Sequence, residues 1–357
     1  MLLRWVICLT TLKLVPAIEL KIIDDYFYTI NVTIGSPPQN FTLALDITAS
    51  NTVVYGNSTA LDSLPSNERV FYEPYKSDTA LKLFHIPANQ SYSGTLTSLI
   101  KYDTLVYADA FSINGEPFGI IRFVVVQNYD YGTYSYLPTN GLVGIGADIL
   151  HHGLGLMSNI LHLKNASVVS LYTPRDTQNE NAHITFGPGA PHVNCEPQRN
   201  WTFFDSYDHT NRINKLFEMK YTFTKYGNTS VKLSKYSYFA LSTLTSYVTV
   251  HKFMFKTIKS ELNSTSVVAR GSTIEVVDCK WKTTAPNITL GNEDMQFDIP
   301  SEDYIVETEP NYCILKVREN VAAANRRWVL GVTFLKSYCV QFDLSGQKVG
   351  FVSSNMP

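Results

Sequence analysis

The sequence has 357 residues, 45% hydrophobic and 13% aromatic, with only 17% charged side chains. That is enough apolar material for a full core, arranged as two domains or one large β-rich unit. A formal net charge of −2, without any run of Lys or Arg, argues against nucleic acid and acidic membrane surfaces as partners.

In chain order, the first feature is a secretory signal. Met1–Arg4 give a short positive start, Trp5–Val15 are mostly apolar, and Val15-Pro16-Ala17 offers a cleavage point. A membrane span would need roughly 20 apolar residues, and Lys13 interrupts this run. Residues 1–17 are therefore expected to be removed. The product is expected to be secreted and extracellular, with a lysosomal or other secretory-route lumen as the alternative.

Cysteine usage agrees with export. Cys8 lies in the signal, which leaves Cys195, Cys279, Cys313 and Cys339. An even set in an exported chain suggests disulfides, and four Cys allow three connectivities. Asn-X-Ser/Thr sequons begin at Asn31, Asn40, Asn57, Asn89, Asn165, Asn200, Asn228, Asn263 and Asn287. That density predicts a glycoprotein.

Beyond the signal, short apolar runs bounded by Gly, Pro, Asn and Asp read as strands. Examples are Phe27–Ile34, Phe41–Leu45, Ile121–Val126, Lys220–Thr224 and Gln347–Val352. Helical patches are few. The clearest is His251–Leu262, where Val250, Met254, Ile258 and Leu262 share one face; a weaker one covers Leu156–Leu163. The Gly-, Pro- and Asn-rich stretch Phe186–Asn200 is the candidate boundary. Lobes of 18–190 and 191–357 follow from it.

An approximate internal repeat carries the most information. Leu43-Ala44-Leu45 runs into Asp46-Ile47-Thr48-Ala49-Ser50, and Leu142-Val143-Gly144 comes much later. In the second half Phe239-Ala240-Leu241 runs into Ser242-Thr243-Leu244-Thr245-Ser246, and Val329-Leu330-Gly331 follows. Two similar lobes would face each other across a cleft.

With these motifs the chain resembles the pepsin/cathepsin D family of aspartic peptidases, from about Tyr26 to Ser353. Ile34-Gly35-Ser36-Pro37-Pro38-Gln39-Asn40-Phe41 is similar to the family's first motif. Tyr102-Asp103-Thr104 resembles the segment after its flap hairpin, and Asn140–Gly146 its Asp-Gly-Ile-Leu-Gly-Leu-Gly run. Val329-Leu330-Gly331, Phe334-Leu335, Phe342-Asp343 and Val349-Gly350-Phe351 are similar to its closing pattern. The resemblance implies an all-β, bilobal pepsin-like fold, two pseudo-symmetric β lobes with a few short helices. It also implies a Cys279–Cys313 bridge in the second lobe. Cys195 and Cys339 are left as a second pair, an extra bridge that some relatives share.

The family's chemistry uses two facing carboxylates that share one proton, because like charges that close cannot both ionise. One activates a water; the other protonates the leaving amine. Here the resemblance places Asp46 at the first aspartate and Ser242 at the second. A serine hydroxyl does not ionise at working pH and cannot share that proton. A lone Asp46 is expected to titrate as an ordinary carboxyl, and to act as a structural acceptor for Thr48 or Ser50. In the family each aspartate opens an Asp-Thr-Gly motif; by the resemblance its glycines have become Thr48 and Leu244 here, and Leu244 is expected to crowd the cleft floor. Ile47, Thr48, Thr243, Leu244 and Tyr92 are the expected cleft-lining residues.

Two further differences fit a loss of catalysis. Ala88 falls where the family's flap has Tyr, with Tyr92 as a substitute only in a shifted hairpin, and Val53 falls where its Trp partner stands. Only Ile18–Asp25 separate the signal from Tyr26, too little for an inhibitory prosegment. Other readings are weaker. His151-His152, with Asp148 and His162, match no common zinc pattern. A serine nucleophile at Ser242 would need a positioned base, and only His251 is near in sequence. The run Tyr129–Tyr136 is either a loop or a binding surface. The expectation is an inactive family member, without metal or cofactor, monomeric, holding a peptide or protein ligand in or near the interlobe cleft. The alternative is an atypical aspartic endopeptidase; a third reading is a remnant with no ligand.

Overall fold

The computed structural model of the chain describes residues 17–23, 27–49, 51–57, 70–86, 91–95, 98–129, 139–146, 156, 160, 167–176, 179–187, 194–195, 200–206, 217–233, 237–269, 272–293, 295–320, 327–343 and 348–354. Strands dominate them, and the longest described helix is only Lys252–Leu262. This is the expected all-β architecture with few short helices.

In the first lobe Phe27–Ile34 and Gln39–Asp46 pair antiparallel, with Ile30 opposite Leu43 and Val32 opposite Phe41. Their inward residues are aliphatic or aromatic, and the exposed Asn31 and Asn40 point outward. Ser98–Ile113 and Glu116–Tyr129 form a long hairpin closed by Asn114-Gly115 at φ 47° and 84°. Both residues adopt the left-handed backbone that a two-residue hairpin turn requires. The expected strand Ile121–Val126 is thus the middle of a longer one, because this turn lets pairing continue.

The second lobe corrects one expected strand. Lys220–Thr224 is split between Glu218–Lys220 and Phe223–Tyr226. The backbone N–H of Tyr221 goes to Ser237 O, and that of Thr222 to Gly291 O. The chain changes sheets at this point, and a run of apolar residues does not reveal such a step. The expected helix is present with His251 as its N-cap, and Met254, Ile258 and Leu262 are buried on its inner face. Val250 belongs instead to the buried strand Val248–Val250. Asn263, at φ 49°, ends the helix in the left-handed conformation common at such ends. The closing strand is Lys348–Ser353. Of the weaker helix only Leu156 and Ile160 are described, both helical and buried.

One sheet of 14 strands, 13 of them on a continuous path of pairings, links the lobes. Ile18–Ile23 pairs with Ala182–Phe186, and Val168–Tyr172 pairs with Tyr338–Asp343 from the far end of the sequence. Disulfides join Cys195 to Cys339 and Cys279 to Cys313. Around the second lobe's core, Phe297 packs against Phe239, Phe334 and Phe351 with ring centroids 5.5, 5.6 and 4.8 Å away. The candidate boundary Phe186–Asn200, the run Tyr129–Tyr136, His151-His152, Asp148 and His162 lie largely or wholly outside the described residues.

Candidate functional site

Two loops with the same backbone plan meet between the lobes. Gln39–Asp46 runs parallel to Gly141–Gly144, which pairs antiparallel with Thr52–Tyr55, itself parallel to Glu116–Tyr129. In the second lobe Tyr238–Leu241 runs parallel to Arg327–Leu330, which pairs antiparallel with Val248–Val250, itself parallel to Val317–Glu319. The sequence repeat is therefore a structural repeat.

Two glycines fix its register. A Cβ on Gly144 would collide with the carbonyl oxygens of Ala49 and Asn51, three and five residues after Asp46. A Cβ on Gly331 would collide with those of Thr245 and Tyr247, three and five residues after Ser242. Each loop closes so tightly on its partner strand that only glycine fits there. Asp46 pairs with Gly144, and Leu241 with Leu330, which sets Ser242 beside Gly331. Asp46 and Ser242 thus occupy equivalent positions, without reference to any relative.

Asp46 is completely buried. Its Oδ1 accepts the Thr48 backbone N–H at 2.7 Å and the Thr48 hydroxyl at 2.6 Å. Its Oδ2 is buried without a hydrogen-bond partner among the described residues. Burial raises the pKa from 3.8 to about 6, against the opposing pull of the bonds from Thr48 and the Ala49 backbone. This corrects the expectation of an ordinary carboxyl, because a sequence shows the missing partner but not the desolvation. The expectation of a structural acceptor role for Thr48 agrees with the geometry; Ser50 lies outside the described residues.

Ser242 is also buried, and its Oγ accepts the Leu244 N–H at 3.2 Å, the same two-residue step as Thr48 to Asp46. The next residue crosses the interface. Thr243 donates its hydroxyl to Leu45 O at 2.6 Å and accepts the Ile47 N–H at 3.2 Å. Its counterpart Ile47 is buried and carries no hydroxyl, so the cross-lobe clamp is one-sided. Leu244 is only partly buried and packs with Val53 against a first-lobe cluster of Phe27, Ala44, Ala49 and Leu142.

Of the other expected residues, Tyr92 sits on the strand Ser91–Thr95, opposite Ile100. Ala88 lies outside the described residues. His251 bonds Tyr221 through Nε2 at 2.8 Å, so that nitrogen is already engaged. No cluster of His, Cys, Asp or Glu able to hold a metal occurs among the described residues.

Sequence reasoning missed a second buried carboxylate. Asp109 accepts Tyr72 OH at 2.7 Å on one oxygen and the Ser77 and Thr79 hydroxyls on the other. Nothing in the strand pattern of Ser98–Ile113 sets this aspartate apart. It fastens Tyr72 and the 77–79 turn to the lobe, and unlike Asp46 both its oxygens are engaged.

The family model for eukaryotic aspartyl proteases matches residues 27–354. The chain belongs to that family. Among curated relatives, Aspartic protease 1 of Caenorhabditis elegans is 22% identical, the match covering 92% of this chain and 83% of the relative. Pregnancy-associated glycoprotein 1 of Bos taurus is 25% identical, with 93% and 82% covered. Gastricsin of Callithrix jacchus is 24% identical, with 92% and 82% covered. The fold is thus that of the pepsin-like peptidases, whose members bind peptides in a cleft between the lobes. Among the described residues no helix is long and apolar enough to cross a membrane.

Proposed function

We propose that this chain is a secreted, glycosylated pseudopeptidase that holds a peptide or protein ligand at the interlobe cleft without cleaving it. The observation that carries this reading is the equivalence of Ser242 with Asp46, fixed by the paired glycines Gly144 and Gly331. A hydroxyl stands where the reaction needs the second carboxylate. Acid–base assistance of that kind supplies about 10²–10⁴-fold in rate. Asp46 alone, with its Oδ1 taken by Thr48, cannot at the same moment take a proton from water and donate one to the scissile carbonyl. Leu244 and the loss of both motif glycines argue the same way.

Export is supported by the N-terminal signal pattern and by two disulfides, which form and persist in oxidising compartments. Seven sequon asparagines lie among the described residues, namely Asn31, Asn40, Asn57, Asn200, Asn228, Asn263 and Asn287, and all are exposed. One relative is itself named a glycoprotein. In this reading the lobes span 18–190 and 191–357, and the protein acts as a monomer.

The test is peptidase activity of the secreted protein at acid pH, with and without a statine-type transition-state analogue, beside an Asp46→Ala variant. Background turnover in both proteins is expected. Robust cleavage that the analogue blocks and the substitution abolishes would instead establish an atypical aspartic endopeptidase.

A further inference from the structure

Away from the two loops, the second lobe contains a cavity of about 490 Å³, within the size range of small-molecule sites. It opens between the hairpin formed by Phe223–Tyr226 and Thr229–Lys232 and the first turn of the helix Lys252–Leu262. Val231, Leu233, Phe253 and Met254 supply its apolar surface. Phe253 is 59% exposed, an uncommon position for a phenylalanine with no covering partner shown.

The polar groups of the cavity are few and uneven. Among the described residues lining it, the exposed Lys232 is charged and none is a carboxylate. His251 on the wall is held by the Tyr221 hydroxyl, so that side is already formed. Ser237, also on the wall, keeps a buried hydroxyl without a hydrogen-bond partner among the described residues. An apolar chamber whose described lining carries a cation and no carboxylate complements an amphiphilic anion rather than a peptide or a sugar. The only sequon on this hairpin, Asn228, sits at its turn, whereas Lys232 is at the opposite end of the strand beside Phe223. A glycan there would leave the mouth clear.

We propose that this cavity binds a medium-chain alkyl carboxylate, with its chain against Val231, Leu233, Phe253 and Met254 and its carboxylate facing Lys232. The site is separate from the Asp46–Ser242 region, and the proposal stands whether or not the chain cleaves peptides.

The test uses full-length secreted protein carrying 1-anilinonaphthalene-8-sulfonate, displaced by decanoate or by 1-decanol. Decanoate is expected to displace the dye at one site per chain. Lys232→Glu is expected to weaken decanoate about fivefold while leaving decanol unchanged. Phe253→Ala should weaken both ligands, and added salt should weaken decanoate alone. Both side chains are exposed, so unchanged thermal midpoints will confirm that the variants fold. Failure of decanoate to displace the dye would overturn the proposal. So would equal affinity for decanoate and decanol that Lys232→Glu does not alter, or binding that survives Phe253→Ala unchanged.

Discussion

The loop after Gln39–Asp46 and the loop after Tyr238–Leu241 share a backbone plan but differ in almost every side chain. Both strands run parallel to a partner ending in a glycine that admits no Cβ. Both loops bend so that the residue two places on donates its N–H to the side chain of Asp46 or Ser242. Yet one loop buries a carboxylate and the other a hydroxyl. Among the described residues, only the second uses a side chain, that of Thr243, for hydrogen bonds across the interface. Selection for the scaffold and selection for the chemistry act on different atoms: the backbone geometry depends on the glycines, while catalysis depends on two carboxylates.

The largest effect expected from this asymmetry concerns activity. Ser242→Asp puts a carboxylate at the position equivalent to Asp46 but leaves Ile47, Thr48 and Leu244 in place. Turnover is expected to stay at least about 10²-fold below that of an active relative in a peptide-cleavage assay at acid pH. Turnover approaching that of the relative would show that Ser242 alone separates the two loops.

Next comes the clamp. Thr243→Val preserves shape but removes both bonds to the first lobe, at an expected cost of about 2–4 kcal/mol in urea unfolding. A loss below about 0.5 kcal/mol would mean that the lobes are held together elsewhere.

Asp46→Asn probes the buried charge. The folded pKa of about 6 lies above the ordinary 3.8, so between these values the folded state binds more protons than the unfolded state. Stability therefore falls as pH rises through that window, and the cost is complete above it. The amide, free of this cost, is expected to stabilise the protein by on the order of 2–3 kcal/mol at neutral pH. The advantage should vanish below the unfolded pKa. Thermal midpoints of both proteins across pH will show it, and a constant offset would refute the buried charge.

The smallest effect is Leu244→Ala, expected to cost about 1–2 kcal/mol for a partly buried leucine. It should leave peptidase activity at background. Any gain in turnover would show that Leu244, rather than Ser242, is the main obstacle.

Much of this organisation was legible in the sequence. Strand alternation at Phe27–Ile34, the helical stripe through Met254, Ile258 and Leu262, and the doubled strand-to-loop motif all act through local periodicity. The position of Ser242 was legible for the same reason, because the apolar strand before it and the glycine after it survive. What stayed hidden depends on tertiary context. The sheet change at Tyr221-Thr222 is set by partners at Ser237 and Gly291. The raised pKa of Asp46 comes from neighbours that exclude water, and the Asp109 network joins residues from separate segments. Thr243 read only as the residue after Ser242; its bonds to Leu45 and Ile47 require the other lobe to be in place.

The continuous sheet has a consequence for the order in which the protein can be made. Val169 finds its partner in Phe342, and Thr202 finds its partner in Phe351. A chain synthesised only as far as the first lobe has none of these closing strands, so its linking sheet must wait with open edges until Tyr338–Ser353 has emerged. Contacts that distant in sequence form slowly, and exposed strand edges invite pairing with other chains. Loss of Tyr338–Ser353 should therefore be felt far from the C-terminus, as retention of an unfinished first lobe in the cell rather than as a shortened protein in the medium.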